Sequence, residues 1–439
     1  MLNSLVQAFK VPELRNKILF TLGILALYRL GAYIPVPGIP FHAFADAFSE
    51  QGVGMAMLDL FTGGALSNFS VFALGIMPYI TASIIMQLMQ GVIPAIGRWA
   101  KEGETGRRKI TQITRYLTLG LGLINAIGYL LLFKSPQYGV VFSTEVPEIL
   151  TDILVVFTLV AGTAFIMWMG ELITQRGIGN GMSLIIFVSI VSRVPSAIFS
   201  SATLTSDLGT GIALTIVILA VVLVCIPLII FVERAQRRIP VNYAKRVQGR
   251  KMMGGQSTYI PLKVNAAGVI PIIFASSIMS FPSIILSFVG KSDIKGIGGT
   301  LIKMLNSNNW FDKTNPVASL GLILYIVLVI FFAYFYTSIT FNPMEVADNM
   351  KKQGGFIPGI RPGKSTVDYL NNLLSYIIFI GAAGLTIVAV IPFFFNGFFK
   401  ANVSFGGTSL IIIASVILET LKQIESMMLV RNYKGFLND

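Results

Sequence analysis

Charge is scarce in this chain of 439 residues, because Asp, Glu, Lys and Arg together make up only 12% of it. A soluble globular domain carries about 25% of these residues. Hydrophobic residues make up 54% of the chain, and its mean hydropathy is +0.76. This composition argues against an ordinary soluble domain and predicts a protein that is surrounded by lipid.

Cysteine and histidine each occur only once, as Cys225 and His42. A lone cysteine cannot form a disulfide within the chain, and one residue of each type cannot build a metal site of the Cys/His kind. The sequence therefore predicts neither a structural disulfide nor a metal or other cofactor.

Sequence signatures of catalysis are also lacking. Gly363-Lys364-Ser365 imitates the end of a phosphate-binding loop, but Pro358 stands where that loop requires glycine. Residues 177–181 are rich in glycine without the spacing of a dinucleotide-binding loop. The carboxylates nearest the apolar runs all lie at the ends of those runs: Asp152, Glu171, Glu233 and Glu419. Because a proton relay needs such groups within the membrane, an enzyme and an ion-coupled transporter are both disfavoured, and they remain the alternatives.

Long uncharged runs are what the chain has in abundance, and about 20 residues suffice to cross the hydrocarbon core as a helix. The run 60–97 is too long for one helix, and breaks at Gly63-Gly64 and Ser67-Asn68 predict a half-helix followed by a span from about Phe72 to Val92. The other spans are 116–133, 153–170, 177–192, 208–232, 264–290, 314–344, 369–399, 401–418 and a first one around 18–36 that contains Arg29. The predicted fold is therefore an all-α polytopic membrane protein with ten transmembrane helices and one half-helix.

Lys and Arg are distributed unevenly among the connecting loops. Residues 30–97 contain neither, whereas 98–115 and 233–263 are rich in both. Because positively charged loops stay on the cytoplasmic side, this pattern predicts that both termini and the large loops 233–263 and 339–368 lie in the cytoplasm.

One segment of the sequence occurs twice. Gly, Pro, Ile, Ala, Ser, Ile and Met stand at the same offsets in residues 75–86 and in residues 268–279. Each copy lies in an apolar run and carries a proline, Pro78 or Pro271, that disturbs a helix. Matching interrupted helices in two halves of a membrane protein indicate a working site where those helices face each other.

The repeat falls in the second and the seventh span, so the ten spans divide into five and five. Since five is odd, residues 1–204 and 205–439 are predicted to be two inverted halves. Bulky aliphatic residues flank the prolines: Ile76, Ile80 and Ile273. These side chains either face lipid or a neighbouring helix, or they converge into an apolar collar that excludes water and ions.

Polar residues inside the spans are a further anomaly: Thr81, Ser83, Gln87, Asn125, Ser276 and Ser277. Hydrogen bonds between membrane helices average about 0.6 kcal/mol, so such residues can join helices weakly and reversibly. Ordinary packing is an equally good interpretation for any single serine. The basic residues of the two large loops leave three partners open, namely anionic lipid headgroups, an acidic protein and ribosomal RNA.

Several short motifs carry a family resemblance: IPVPGI at 34–39, FTGGALS at 61–67, ALGIMPYI at 73–80, EGETGRRK at 102–109, RGIGNG at 176–181, VNYAKR at 241–246, FNP at 341–343, IPGIRPG at 357–363 and FGGTS at 405–409. In this order they resemble the SecY family of bacterial protein-translocation channels, from about residue 10 to residue 430. The resemblance implies a protein-conducting channel that moves unfolded secretory polypeptides across the cytoplasmic membrane and releases membrane segments into lipid.

The resemblance also implies roles for individual residues. The pore ring would comprise Ile76, Ile80, Met182, Ile186, Ile273 and Ile412. A plug at about 57–70 would include Leu60, Phe61, Gly63, Gly64 and Leu66. The lateral gate, between spans 2 and 3 on one side and spans 7 and 8 on the other, would involve Thr81, Gln87, Asn125, Ser276 and Phe281.

Partners follow from the same resemblance. Arg238, Lys245, Arg246, Arg250 and above all Arg361 would form docking surfaces for the motor ATPase SecA and for the ribosome, through its large-subunit RNA. SecE and SecG subunits, signal peptides, nascent polypeptides and membrane lipids are the other expected partners. The channel would be a multi-pass protein of the bacterial inner membrane, not an enzyme, and it would need no cofactor.

Overall fold

A computed structural model describes residues 9–37, 59, 62–134, 147–203, 208–243, 246–248, 251–253, 257–289, 304–305, 310, 316–399 and 407–435. Ten helices of 16 or more residues lie in these ranges, and they correspond one for one to the expected spans. They are α1 (Pro12–Gly31), α2 (Met77–Val92), α4 (Glu104–Lys134), α5 (Glu148–Arg176), α6 (Gly181–Thr203), α7 (Leu208–Arg234), α8 (Ile270–Val289), α9 (Leu320–Thr340), α11 (Lys364–Phe399) and α12 (Gly407–Gly435). The shorter α3 (Pro94–Lys101) and α10 (Pro343–Lys352) lie between them.

The described helices differ in how apolar they are. Four stretches are long and apolar enough on their own to cross a membrane: Glu148–Arg176, Thr215–Arg234, Leu320–Lys352 and Lys364–Ile391. A fifth consists of α2 together with Pro94–Ala100, bent by 105°. The expected fold class, an all-α polytopic membrane protein, is confirmed.

The two copies of the repeated segment adopt the same backbone conformation. Gly75 and Gly268 both have a positive φ, at 56° and 65°, and a helix begins two residues later in each case. Pro78 therefore lies in the first turn of α2 and Pro271 in the first turn of α8, where proline fits without loss of a hydrogen bond. The prolines start these helices instead of interrupting them, so α2 begins at Met77 and the expected start at Phe72 is wrong.

A small sheet occupies part of the basic loops and was not anticipated. Strand β1 (Gln236–Tyr243) pairs antiparallel with β4 (Ser257–Lys263) and with β5 (Gly355–Phe356), whereas β2 (Arg246–Gln248) pairs with β3 (Lys251–Met253). Alternation explains β1, since Ile239 and Val241 are buried and their neighbours are not.

The sheet is anchored to the helices through an apolar cluster. Ile239, Val241 and Leu262 share this cluster with Leu370 and Leu374 of α11. Because its inner face packs on a helix, the sheet holds the basic residues of its outer face in fixed positions.

Candidate functional site

The six residues expected to form the pore ring lie in a single hydrophobic cluster. Ile76 and Ile80 come from the start of α2, Met182 and Ile186 from α6, Ile273 from α8 and Ile412 from α12. Ile76, Ile186 and Ile412 are at most 5% exposed, and the other three are partly buried. Four helices, drawn from both parts of the sequence, thus contribute these side chains to one larger apolar cluster that also has members on α1 and α5, and we call the six residues the collar.

The chemistry of the collar is that of hydrocarbon and one thioether. None of its side chains offers a strong hydrogen-bond donor or acceptor, so an ion in this position would lose its hydration without replacement. Ile80 also packs against a second cluster that includes Ile84 of α2, Phe274 of α8 and Phe332 of α9. The collar is therefore continuous with the apolar contact between α2 and the α8–α9 pair.

A glycine-rich turn fixes the start of α6, which carries two residues of the collar. The backbone N–H of Gly179 donates to Gln423 Oε1 of α12 at 2.8 Å, and that of Ile178 donates to Thr21 Oγ1 of α1 at 3.1 Å. The N–H of Gly181 donates to Thr174 Oγ1 of α5 at 2.9 Å. This turn, which resembles a nucleotide loop only in composition, joins three helices and positions α6.

The structure describes Asp59 and residues 62–70 of the stretch 57–70, and we call these described residues the plug segment. Leu60 and Phe61 lie outside the described residues. Thr62 is helical, but Gly63 and Gly64 have φ values of 67° and 92°, and residues 63–69 form turns. The expected half-helix therefore does not continue through the plug segment, because two left-handed glycines cannot continue an α-helix.

Leu66 of the plug segment is completely buried. It shares an apolar cluster with Phe69, with Leu130 of α4 and with Leu159 of α5. The plug segment is thus packed into the helices of the first part of the chain.

Of the expected gate residues, Thr81 and Gln87 belong to α2, Asn125 to α4 and Ser276 to α8, and α4 contacts α8. Thr81 Oγ1 donates to Met77 O at 3.1 Å, and Gln87 Nε2 donates to Ser83 Oγ at 3.4 Å, so both of these bonds stay within α2. Asn125 of α4 and Ser276 of α8 are partly buried. Phe281 belongs to α8, but the structure does not describe its side chain.

Three of the five basic residues expected to dock partners lie in the described part of the chain. Arg238 is exposed on β1, and its guanidinium lies over the ring of Tyr259, 4.9 Å from the centroid. Arg361 is exposed in the turn before α11, and Arg246 belongs to β2. Lys245 and Arg250 lie outside the described residues.

Three of the four carboxylates at the span ends form hydrogen bonds or ion pairs with neighbouring side chains. Glu171 accepts from Arg115 Nε at 2.7 Å, and Asp152 pairs with Lys134 at 2.6 Å. Glu233 Oε1 accepts from Asn265 at 2.8 Å and from Ser415 of α12 at 2.5 Å. These contacts join helices and loops, which is a structural use of the carboxylates.

Comparison with known proteins shows which family has a similar sequence. The family model described as SecY matches residues 70–421. A "Protein translocase subunit SecY" from Streptomyces scabiei is 48% identical over 450 aligned residues that cover both chains completely.

Solved structures show the same fold. One, described as showing how the plug domain of SecY stabilises the closed state and maintains a membrane seal, has a TM-score of 0.64 at 19% identity. Sec61 in a canine ribosome–channel complex has a TM-score of 0.58 at 18% identity. In both cases the match covers 93% of this chain and 91% of the other.

Proposed function

The chain belongs to the SecY family, and on this premise we propose that its collar is the constriction through which unfolded polypeptides cross a membrane. It is a protein translocase subunit, a multi-pass membrane protein, and not an enzyme. The observation that carries the proposal is the convergence of six apolar side chains from α2, α6, α8 and α12 in one cluster.

An apolar constriction suits a substrate of arbitrary sequence. A conduit for unfolded chains must accept every side chain, so it cannot depend on specific hydrogen bonds. Aliphatic side chains form a deformable seal around whatever passes, and they exclude hydrated ions when nothing passes.

The contact between α2–α4 and α8–α9 supports release of apolar segments into lipid. The hydrogen bonds of Thr81 and Gln87 stay within α2 and so do not tie it to α8 or α9. Apolar contacts between membrane helices compete on nearly equal terms with lipid contacts. A signal helix can therefore part these helices and take the place of one side of the contact.

The two inverted halves, residues 1–204 and 205–439, belong to the same proposal. Support comes from the repeated segment, because both copies place a left-handed glycine two residues before a helix. An inverted pair of halves would bring α2 and α8 to face each other across the collar.

Orientation and partners extend the proposal. The excess of Lys and Arg in the large loops supports a cytoplasmic position for both termini, in a bacterial inner membrane. SecE, SecG, the SecA motor, signal peptides and nascent chains are the partners that the family implies, with lipids around the helices. A structural neighbour was solved in a ribosome–channel complex, and the exposed Arg238 and Arg361 would suit phosphate groups of ribosomal RNA.

Reconstitution tests the proposed function directly. The chain is placed in lipid vesicles with SecE, SecA is added outside, and protection of a secretory precursor from protease is measured. We expect protection that depends on both ATP and the chain. Protection that is equal in vesicles lacking the chain, or that is absent with all components present, would contradict the proposal.

A further inference from the structure

The plug segment is held in place by charged groups that lie among apolar helices. Arg29 stands in an otherwise uncharged stretch of α1, and Arg193 lies on α6. Asp59 of the plug segment is 5% exposed. Charged side chains in such surroundings are expensive and mark a function when they are present.

Asp59 and Arg193 connect the plug segment to α6. The carboxylate of Asp59 forms an ion pair with the guanidinium of Arg193. Asp59 Oδ1 also accepts the backbone N–H of Ser67 at 2.8 Å, and Arg193 Nη2 donates to Ser67 Oγ at 2.6 Å. The pair thus fastens the plug segment at two points that are eight residues apart.

Contacts with α1 complete the attachment. Arg29 Nη1 donates to the backbone oxygen of Gly63 at 2.7 Å. The hydroxyl of Tyr28 lies 2.6 Å from Ser189 Oγ of α6, so α1 and α6 are joined to each other beside the plug segment.

The two arginines also explain the glycine pair. A Cβ at Gly63 would lie 2.9 Å from Arg29 Nη1 and from Ser189 Cα, and one at Gly64 would lie 3.1 Å from Arg193 Nη2. Both glycines have a positive φ. The segment therefore requires glycine here for its conformation and for close approach to both guanidinium groups.

The attachment lies next to the collar. Met182, Ile186, Ser189 and Arg193 are spaced by four, three and four residues, which places them on one face of α6. Arg193 follows Ile186 by seven residues, or about 10 Å along the helix axis. The face of α6 that contributes to the collar continues directly into the face that holds the plug segment.

We propose that Asp59, Arg193 and Arg29 are positioning residues that form an electrostatic latch and hold the plug segment beside the collar. This inference rests on the proposed channel function. Removing one partner of a buried ion pair leaves the other charge uncompensated, so the seated position depends on each member. A latch made of charges can also open, because both partners regain hydration when the segment moves into water.

The test measures ion conductance of the purified chain in planar bilayers without a precursor, for wild type, Asp59→Asn and Arg193→Gln. We expect each variant to raise the resting open probability about tenfold, as for loss of one charge-assisted hydrogen bond. Arg193→Lys, which keeps the charge, should leak less than Arg193→Gln. Exchange of the charges in Asp59→Arg/Arg193→Asp should restore part of the seal.

A matched control is Glu104→Gln, which breaks the exposed Glu104–Arg108 pair on α4 and should leave the resting conductance unchanged. A second readout uses Asn68→Cys in a Cys225→Ser background. We expect a membrane-impermeant maleimide to label this cysteine faster when Asp59→Asn is also present.

The outcomes separate the latch from the channel function. Variants that translocate a precursor are folded, and wild-type conductance and labelling in such variants would overturn the latch. If Asp59→Asn does not accumulate, Arg193→Gln and Arg29→Gln decide by the same two readouts: both should leak and label faster than wild type, and wild-type values in both would overturn the latch. A wild-type chain that fails to translocate with its partners present would instead overturn the proposed function.

Discussion

The collar shows how single side chains would set the properties of a channel. Its residues differ in shape, but all lack strong hydrogen-bonding groups. Met182 packs against Gly170 of α5, where a larger residue would meet its sulfur. A flexible, unbranched methionine fits such a gap in a way that a branched residue cannot. The seal proposed here depends on polarity first and on exact shape second.

Polar replacement of the collar tests that statement. We expect Ile80→Asn and Ile273→Asn each to raise ion leak about tenfold, because one hydrogen-bonding group in the constriction gives an ion or a water molecule a partner. The same variants should export precursors whose signal peptides are poorly apolar. The measurements are vesicle conductance and export of such precursors.

Ile80→Leu and Ile273→Leu serve as controls, since they keep the collar apolar at the same volume. Leak and signal selectivity that stay at the wild-type level in the asparagine variants would show that the collar is not the seal.

At the scale of residues, the sequence indicates which apolar side chains share a cluster, but it does not indicate the partners of the charged ones. The family resemblance implies the six collar residues, and they fall in one cluster. The sequence interpretation gives Arg29 only as a charge within the first span, and it assigns no role to Arg193. Their partners, Gly63 and Asp59, are 34 and 134 residues away along the chain, and no local pattern encodes such a distance.

At the scale of elements, the starts of α2 and α8 are set by glycine followed by proline. A left-handed glycine turns the chain, and proline three residues later favours the first helical turn. Both copies of the repeat contain this glycine and this proline at the same spacing. The sequence interpretation treats each proline as a disturbance within a helix, because a proline in a long apolar run is compatible both with an interruption and with a helix start.

Substitution of Gly75 tests the role of this turn. We expect Gly75→Ala to lower the stability of the folded protein by about 1–2 kcal/mol, because alanine is strained at a positive φ. A Cβ here would also lie 3.0 Å from Thr62 Cγ2 of the plug segment. The measurement is the midpoint of thermal unfolding in detergent.

Two further glycine substitutions serve as controls for Gly75→Ala. Gly268→Ala has the same strain but no atom within 4 Å of the new Cβ, so its effect should be smaller. Gly23→Ala, in the middle of α1 with open space around it, should be neutral or stabilising. If Gly23→Ala lowers the midpoint as much as Gly75→Ala does, backbone strain is not the cause.

The small sheet was the main element that the sequence interpretation missed. Ile239 and Val241 alternate with exposed residues over β1, but the high density of arginine and lysine there suggested only a solvated loop. The pairing partner β5 lies more than 100 residues later in the chain. Hydropathy locates membrane helices well because each span is a local signal, whereas strand pairing between distant loops is not local.

For the molecule as a whole, the collar, the plug segment and the contact of α2 with α8 and α9 form one connected apolar system, because Ala65 of the plug segment lies in the same cluster as the collar. Ile80 belongs to the surroundings of both large clusters, which links the collar to the contact between the helices. A passing polypeptide that widened the collar would therefore also disturb the plug segment and that contact. This linkage is what a channel with two exits, into water and into lipid, requires.

The central claim is that a translocating chain passes through the collar, and site-specific crosslinking tests it most directly. Single cysteines are placed at Ile186 or Ile412 in a Cys225→Ser background, and a precursor with one cysteine is arrested during export. The control is Ile153→Cys on α5, whose wild-type side chain is 63% exposed on the outside of the helices. We predict disulfide adducts from Ile186→Cys and Ile412→Cys and none from Ile153→Cys, and equal adducts at all three positions, or none at the collar, would contradict the account.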